Sequence, residues 1–181
     1  MKNMKIINTG FKNLKIIAHK RHSDLRGSLR ETYNKKIINW DKFIFEYATI
    51  SKKNVLRGFH FQYKHQQSKL VIVIKGKILD WVIDLRRNSS TFGKAFSIIL
   101  SENNCKSLYV PMGFAHAYFS IQKINVIYYK LSNYYNPRFE DGIRFDDEDI
   151  GAKWPKTKLI VSKKDKLLGS FQSFKTKYKG L

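Results

Sequence analysis

The sequence predicts an all-β protein, a sandwich or barrel built from short strands. Runs rich in aromatic and β-branched residues recur along the chain with turn residues between them, and no stretch keeps a long helical period. With 181 residues, 43% of them hydrophobic, the chain is long enough to bury the core of one domain over residues 1–181. We divide it into N-terminal strands and an arm (1–50), a barrel core (51–135) and a C-terminal segment (136–181).

The strands follow one another closely. Residues 1–20 alternate Lys with Ile and Leu and predict one or two edge strands, and Asp24 with Gly27 predicts a turn. Further strands are predicted over 43–51, 55–62, 70–75, 77–85, 95–100, 106–110, 115–122 and 125–131. Gly76 separates two of these strands and predicts a hairpin.

The C-terminal segment departs from this pattern. Ser162 followed by Asp165 is typical of a capping box that opens a short helix. The last residues are basic, with Lys175, Lys177 and Lys179, and we expect them to fray.

Composition indicates a reducing compartment. Cys105 is the only cysteine, so no disulfide framework is possible within the chain. The N-terminal residues lack the apolar core of a signal peptide, and no stretch approaches the roughly 20 apolar residues that span a bilayer. We expect a cytoplasmic protein with no membrane partner.

The formal net charge of +21 has two interpretations. A basic excess is typical of proteins that bind nucleic acid or other polyanions, and a non-catalytic polyanion-binding module is the alternative from that class. The Lys residues are spread along the whole chain, however, a mix that also arises from AT-rich coding bias, and the sequence has no zinc-finger spacing, RNP-type motif or basic heptad helix. We therefore predict no nucleic-acid partner and a general preference for anionic ligands such as a sugar diphosphate.

The strand predicted over 55–62 carries the first candidate site. Arg57 and His60 are three residues apart, so on a regular strand they would face opposite sides. Gly58 between them predicts a bulge that relieves this mismatch. Taken alone, His60 would more simply be a hydrogen-bonded core histidine.

A second histidine, His116, follows a Pro-Met-Gly turn at 111–113 where a strand begins. The two segments together resemble the paired motifs of cupin jelly rolls, whose barrel interior holds a ligand or a metal. Gln62 stands two residues after His60, and His65 has the wrong parity for the same strand face, so three metal ligands are not visible. We predict no metal and no cofactor, and keep a metal-dependent cupin as an alternative.

The chain further resembles the dTDP-4-dehydrorhamnose 3,5-epimerase family, cupin-fold epimerases of nucleotide sugars. The matching segments fall in the family's order over nearly the whole chain: DLRG (24–27), LRGFHFQ (56–62), SKLV (68–71), DLR (84–86), STFG (90–93), PMGFAH (111–116), YYK (128–130), NYYNP (133–137), GIRFDD (142–147), WP (154–155) and SKKD (162–165). The resemblance implies a jelly-roll barrel with short C-terminal helices.

The resemblance also implies catalytic roles. His60 would be the base and Asp165 the carboxylate that orients it, although the sequence alone favours the helix-capping role for Asp165. Tyr129 would be the opposing acid, with Tyr128 packing or facing outward. Lys69 and Arg57 would stabilise the enolate that forms when a proton is removed beside the C4 ketone.

Further residues would bind the substrate. By the same resemblance, His116 and Tyr135 contact it, and Arg26 and Glu31 belong to an arm that reaches the pocket of a second subunit in a homodimer.

Phe45 and Tyr47 stand where the family usually has Gln and Asn, and Leu29 replaces an aromatic residue of the arm. These changes leave a GDP-linked sugar, hexose or heptose, as an alternative to a dTDP-linked one.

The predicted function is 3,5-epimerisation of a nucleotide-diphosphate 4-keto-6-deoxy sugar in surface-polysaccharide sugar biosynthesis. A C3-only epimerase and a 3,4-ketoisomerase on the same fold are the alternatives within the enzyme class. Retention of both His60 and Tyr129 favours two-sided proton transfer.

Overall fold

The structure is a computed structural model that describes residues 3–181, and it is built from fourteen strands and two short helices. The strands are β1 (Met4–Asn8), β2 (Lys15–His19), β3 (Arg21–Asp24), β4 (Gly27–Arg30), β5 (Phe45–Lys52), β6 (Val55–Gln62), β7 (Lys69–Lys75), β8 (Lys77–Asp84), β9 (Ala95–Ser101), β10 (Lys106–Val110), β11 (Phe114–Ser120), β12 (Ile124–Leu131), β13 (Glu140–Gly142) and β14 (Ile160–Val161), and the helices are α1 (Lys163–Lys166) and α2 (Phe171–Tyr178).

Two antiparallel sheets form the body of the molecule. The first has the order β1-β2-β10-β7-β12-β5, and the second has the order β13-β6-β11-β8-β9, with β14 added parallel to β6. The predicted all-β jelly-roll barrel with short C-terminal helices is confirmed.

The core lies between the sheets. Inward-facing residues of both sheets form one buried cluster, which includes Val71 and Ile127 from the first sheet and Val82 and Phe114 from the second. β11 is buried on both faces, and β7 over most of its length, because the outer faces of the sheets are also covered. One end of this space is lined by polar side chains, and it is the site described below.

The outer faces of the sheets are covered separately. Residues 33–43 pack on the first sheet, where Ile38 is fully buried against Leu70 and Ile72. The C-terminal segment covers the second sheet, where Phe171 and Phe174 of α2 pack against Phe61. Both coverings leave the strands' inner faces free to form the site.

The hairpin predicted at Gly76 is wrong. β7 and β8 lie in different sheets, and Gly76, at a φ of 88°, is the corner where the chain crosses from one to the other. Its N–H donates to a carboxylate oxygen of Glu102 at 3.0 Å. Glycine indicates the turn in the backbone, but the identity of the paired strands depends on distant segments.

The C-terminal residues do not fray as predicted. Ser170 caps α2 by accepting a hydrogen bond from the N–H of Ser173, and Lys177 forms an ion pair with Asp141 at 2.9 Å. The sequence prediction considered only the basic residues of this segment, whereas the buried rings of Phe171 and Phe174 anchor the helix. The predicted cap of α1 is confirmed, because the Ser162 hydroxyl accepts from the N–H of Asp165 at 3.0 Å.

β3 and β4 form a two-stranded arm that belongs to neither sheet. Its predicted turn is confirmed: the Arg26 N–H donates to Asp24 at 2.8 Å, and Gly27 adopts a φ of 130°. Leu25 and Leu29 are exposed on this arm. Among the described residues, no helix has both the length and the apolar character needed to cross a membrane.

Candidate active site

A bulge in β6 places Arg57 and His60 together. His60 pairs with His116 of β11, whereas Arg57 pairs with Tyr118, so three steps along β6 match two along β11. Gly58 has a φ of 106°, and a side chain there would clash with the backbone of β11. The predicted bulge is confirmed, and only glycine fits it.

His60 is bonded to a buried carboxylate. Its Nε2 lies 2.8 Å from Oδ1 of Asp165, and the other oxygen of Asp165 accepts the N–H of Gly58 at 3.2 Å. Burial raises the pKa of Asp165, but the hydrogen bond and positive charge of His60 and the N–H of Gly58 outweigh it, so the net pKa is lowered. Asp165 is therefore a carboxylate that fixes the ring of His60 and leaves Nδ1 as the nitrogen available to a substrate.

A second carboxylate, Glu140, lies on the other side of the ring. One of its oxygens is 4.0 Å from Nδ1 of His60. The Tyr135 hydroxyl donates to Glu140 at 2.7 Å, and Lys164 forms an ion pair with it. Burial raises the pKa of Glu140, but the hydrogen bonds from Lys164 and Tyr135 have the larger combined effect, so the net pKa is lowered. Glu140 therefore stays ionised beside His60.

A second histidine–carboxylate pair lies deeper in the barrel. Nε2 of His116 is 2.8 Å from Oδ2 of Asp80, and both side chains are buried. Burial raises the pKa of Asp80 despite the opposing effects of His116 and Lys69. The remaining oxygen of Asp80 is buried and has no hydrogen-bond partner among residues 3–181, so the pair keeps a free acceptor there.

Tyr129 lies in the barrel interior on β12 of the first sheet, whereas His60 is carried by β6 of the second. Its ring lies 4.9 Å from that of Tyr47 and 6.0 Å from that of His116. Burial is the largest cause of a strongly raised pKa at Tyr129. Burial likewise raises the pKa of Tyr47 to about 12. Both phenols therefore keep their protons at neutral pH.

Aromatic rings continue from Tyr47 to the mouth of the pocket. Phe45 lies 5.7 Å from Tyr47, and the exposed Tyr134 lies 5.9 Å from Phe45. These rings give one wall of the entrance an apolar character where amide side chains would have supplied hydrogen bonds.

Lys69 supplies a positive charge at the start of β7. Burial lowers its pKa to about 8, and the charges of Glu140 and Asp80 limit the decrease. Lys69 is thus a cation held between two carboxylates, and its ammonium is mostly protonated at neutral pH.

The arm residues lie apart from this group. Arg26 is exposed and pairs with Asp24, and the carboxylate of Glu31 accepts from the Asn34 amide at 2.7 Å. Tyr128 faces outward as predicted, bonded to Glu46. The structure therefore brings together His60, Asp165, Tyr129, Arg57, Lys69, His116, Phe45, Tyr47 and Tyr135, and leaves Arg26 and Glu31 outside in a single chain.

Sequence reasoning missed Glu140, Lys164 and Asp80. Asp80 had a detectable signal, because a lone acid within the apolar run of β8 requires a buried partner. Lys164 adjoins Asp165, but nothing in the sequence pairs it with Glu140. No group of three or more His, Cys, Asp or Glu side chains among residues 3–181 is placed to hold a metal ion.

Comparisons with known proteins agree with this geometry. The family model described as dTDP-4-dehydrorhamnose 3,5-epimerase matches residues 8–173. A protein of that name from Methanothermobacter thermautotrophicus is 36% identical over 173 residues, which cover 92% of this chain and 94% of the relative.

Two solved structures have the same fold. The dTDP-4-dehydrorhamnose 3,5-epimerase of Elizabethkingia anophelis superposes with a TM-score of 0.87 at 35% identity, covering 95% of this chain and 98% of that one. The dTDP-6-deoxy-D-glucose-3,5-epimerase of Legionella pneumophila, in complex with dTDP-4-keto-L-rhamnose, has a TM-score of 0.88 at 34% identity and covers 92% of each chain.

Proposed function

Because this chain belongs to the dTDP-4-dehydrorhamnose 3,5-epimerase family, we propose that its barrel pocket inverts C3 and C5 of a dTDP-linked 4-keto-6-deoxy sugar. The chain is an isomerase that acts on carbohydrates, in sugar biosynthesis. The single observation that carries the roles of the residues is the position of His60 and Tyr129 on opposite sheets, with Asp165 bonded to His60.

The proposed reaction begins at His60. The C4 ketone makes the neighbouring C–H acidic, and Nδ1 of His60 takes the proton while the C–H electrons form the enolate. The resulting imidazolium is stabilised by Asp165 and Glu140. Lys69 and Arg57 stabilise the enolate oxygen.

Tyr129 completes the inversion. Its hydroxyl donates a proton to the opposite face of the same carbon, which leaves a phenolate, and proton exchange with solvent restores both groups. The same steps at the second carbon give the doubly inverted sugar. His116 and Tyr135 contact the sugar, and Phe45 and Tyr47 line the path of the nucleotide.

The proposed assembly is a homodimer. Arg21 and Arg30 tie the base of the arm to its own barrel, while the turn side of the arm exposes Leu25 and Leu29, which suits insertion into a second copy. Arg26 and Glu31 would then contact the partner's nucleotide. The free thiol of Cys105 fits a cytoplasmic location, where thiols stay reduced.

Deuterium incorporation tests this function. The protein is incubated in D₂O with a dTDP-linked and a GDP-linked 4-keto-6-deoxy sugar, and the label is located by NMR. Deuterium at C3 and C5 of the dTDP sugar supports the proposal, and deuterium at C3 alone restricts it to C3 epimerisation. Turnover of the GDP sugar alone would reassign the nucleotide.

His60→Ala is the control, and it should lower incorporation by about 10²–10⁴-fold while nucleotide binding survives. No label in the wild type would refute the proposal. Loss of activity after exhaustive chelation would favour the metal-dependent alternative, and steeply salt-dependent binding of nucleic acid that survives His60→Ala would favour a polyanion-binding module.

A further inference from the structure

The proposed mechanism does not use one buried phenol of the pocket, that of Tyr118. It projects from β11 in the second sheet and is 3% exposed. Its hydroxyl reaches the first sheet, where it lies 2.9 Å from the hydroxyl of Ser51 and 3.1 Å from that of Thr49. Tyr118 thus joins the two sheets at the floor of the pocket.

The hydrogen bonds continue from this floor to Arg57. Nε of Arg57 donates to the Ser51 hydroxyl at 3.2 Å. One directed hydrogen-bond chain fits these distances: Arg57 donates to Ser51, Ser51 to Tyr118, and Tyr118 to Thr49. The backbone oxygen of Ser51 accepts from the Asn125 amide at 3.1 Å, so Ser51, which stands between Arg57 and Tyr118, is held in place as well.

These hydrogen bonds matter because the Arg57 side chain has few other contacts that would fix its orientation. Its side chain is exposed, and among the described residues it forms no ion pair, so the Ser51 hydroxyl is its one hydrogen-bond partner there. A free arginine loses considerable rotamer entropy when it is held in one orientation. An arginine that stabilises a transition state must nevertheless be oriented before the reaction starts.

Tyr118 also lies beside the reacting groups. Its ring centroid is 6.4 Å from that of His116, and it belongs to the same buried cluster as Tyr129. Removing its hydroxyl therefore alters the hydrogen bonds beside these groups and leaves the side chains assigned to proton transfer in place.

We propose that Tyr118 is a positioning residue, which orients the Arg57 guanidinium toward the substrate's carbonyl side through Ser51. This role rests on the proposed function, since it assigns Tyr118 a part in that same reaction. The alternative is a purely structural contact between the sheets, in which Thr49 and Ser51 would matter equally.

Three variants separate the two roles. Ser51→Ala removes the acceptor of Arg57, and Tyr118→Phe removes the group that holds the Ser51 hydroxyl. Each should lower kcat about tenfold with KM little changed. Thr49→Val removes the other bond of Tyr118 and should leave kcat within about twofold. A structural contact predicts instead that all three variants lower thermal stability alike and leave kcat alone.

Coupling to Arg57 is the decisive measurement. In an Arg57→Ala background, Tyr118→Phe should cause no further loss of kcat. An equal loss in both backgrounds, or a wild-type kcat in Tyr118→Phe, overturns the proposal. Inactivity of the wild type toward every 4-keto-6-deoxy sugar nucleotide overturns the proposed function, and the mechanistic role of Tyr118 with it.

A readout independent of turnover is the NMR signal of the Arg57 Nε–H, assigned by its loss in Arg57→Lys. Protection from solvent exchange should be present in the wild type and in Thr49→Val, reduced in Tyr118→Phe and absent in Ser51→Ala. An unprotected wild-type signal would show that the chain does not hold Arg57, and it would overturn the positioning role even in an active enzyme.

Discussion

Replacing Asp165 by Asn tests the core of the mechanism, because it removes one charge and keeps the shape of the side chain. Asp165 accepts from His60 at 2.8 Å and from the N–H of Gly58 at 3.2 Å. The Asn amide would keep an oxygen for Gly58 but would present an NH₂ to His60. That NH₂ donates to Nε2, so the ring proton moves to Nδ1, the nitrogen that must be free to act as the base.

The size of the effect follows from the ion pair that forms during the reaction. The charge centres of an imidazolium and a carboxylate bonded at this distance lie about 4 Å apart, which corresponds to about 4 kcal/mol at an effective dielectric constant of about 20. Complete loss of this stabilisation would lower the rate about 10³-fold. Since the proton is only partly transferred in the transition state, we expect a loss of about 10²–10³-fold in kcat for Asp165→Asn.

Ser162→Ala is the matched control, because it removes the cap of α1 and leaves the carboxylate in place. It should cost about 1 kcal/mol of stability and little kcat at temperatures below unfolding. Rates measured by NMR and unfolding followed by circular dichroism distinguish the two variants. If Ser162→Ala loses as much kcat as Asp165→Asn, or if Asp165→Asn stays within tenfold of the wild type, Asp165 is a structural capping residue and the reasoning fails.

Four further outcomes are expected. With the pKa of Lys69 lowered to about 8, kcat should fall above pH 8, and Lys69→Arg should move that decline to higher pH. Because the folded pKa lies below the unfolded value of 10.5, the stability of the wild type should rise between about pH 8 and pH 10.5. Lys69→Met removes the buried charge, so its Tm should exceed that of the wild type at neutral pH, and this difference should shrink over the same pH range. Tyr129→Phe should retain deuterium exchange but lower inversion about 10²–10⁴-fold by NMR. Phe45→Gln combined with Tyr47→Asn should tighten dTDP relative to GDP in calorimetry, and an unchanged preference would contradict the specificity argument. Leu29→Asp should shift a homodimer toward monomer in size-exclusion chromatography, whereas an unchanged elution volume would remove the arm from the interface.

Local patterns predicted most strands, but not how they pair. β10 (Lys106–Val110) lies where the sequence placed it, since its flanking turns and alternating apolar residues are encoded within a few positions. The pairing of β7 with β10 and β12, and not with β8, depends on segments far along the chain. A turn residue such as Gly76 carries no information about those distant partners, which is why the hairpin prediction failed.

Some residues of the candidate site could likewise be predicted from the sequence, and others depend on the fold. His60 and His116 lie within short motifs, and the resemblance to a family ordered them with Tyr129 and Asp165 along the chain. Glu140 gained its place only through the fold, because β13 pairs with β6 and carries the carboxylate to the ring of His60. A three-residue strand leaves almost no pattern in the sequence.

The net charge of +21, the most prominent feature of the composition, says little about the chemistry of the pocket. Three of the chain's 14 acidic residues, Asp80, Glu140 and Asp165, are each paired with a cationic or ionisable partner inside or beside the barrel. A surplus of lysines on the surface attracts a diphosphate from a distance, but such long-range attraction does not select a proton-transfer geometry. These three carboxylates do shape that geometry, because Asp165 and Asp80 each hold the ring of a histidine and Glu140 pairs with Lys164. Removing one buried acid should therefore cost more activity than removing several surface lysines.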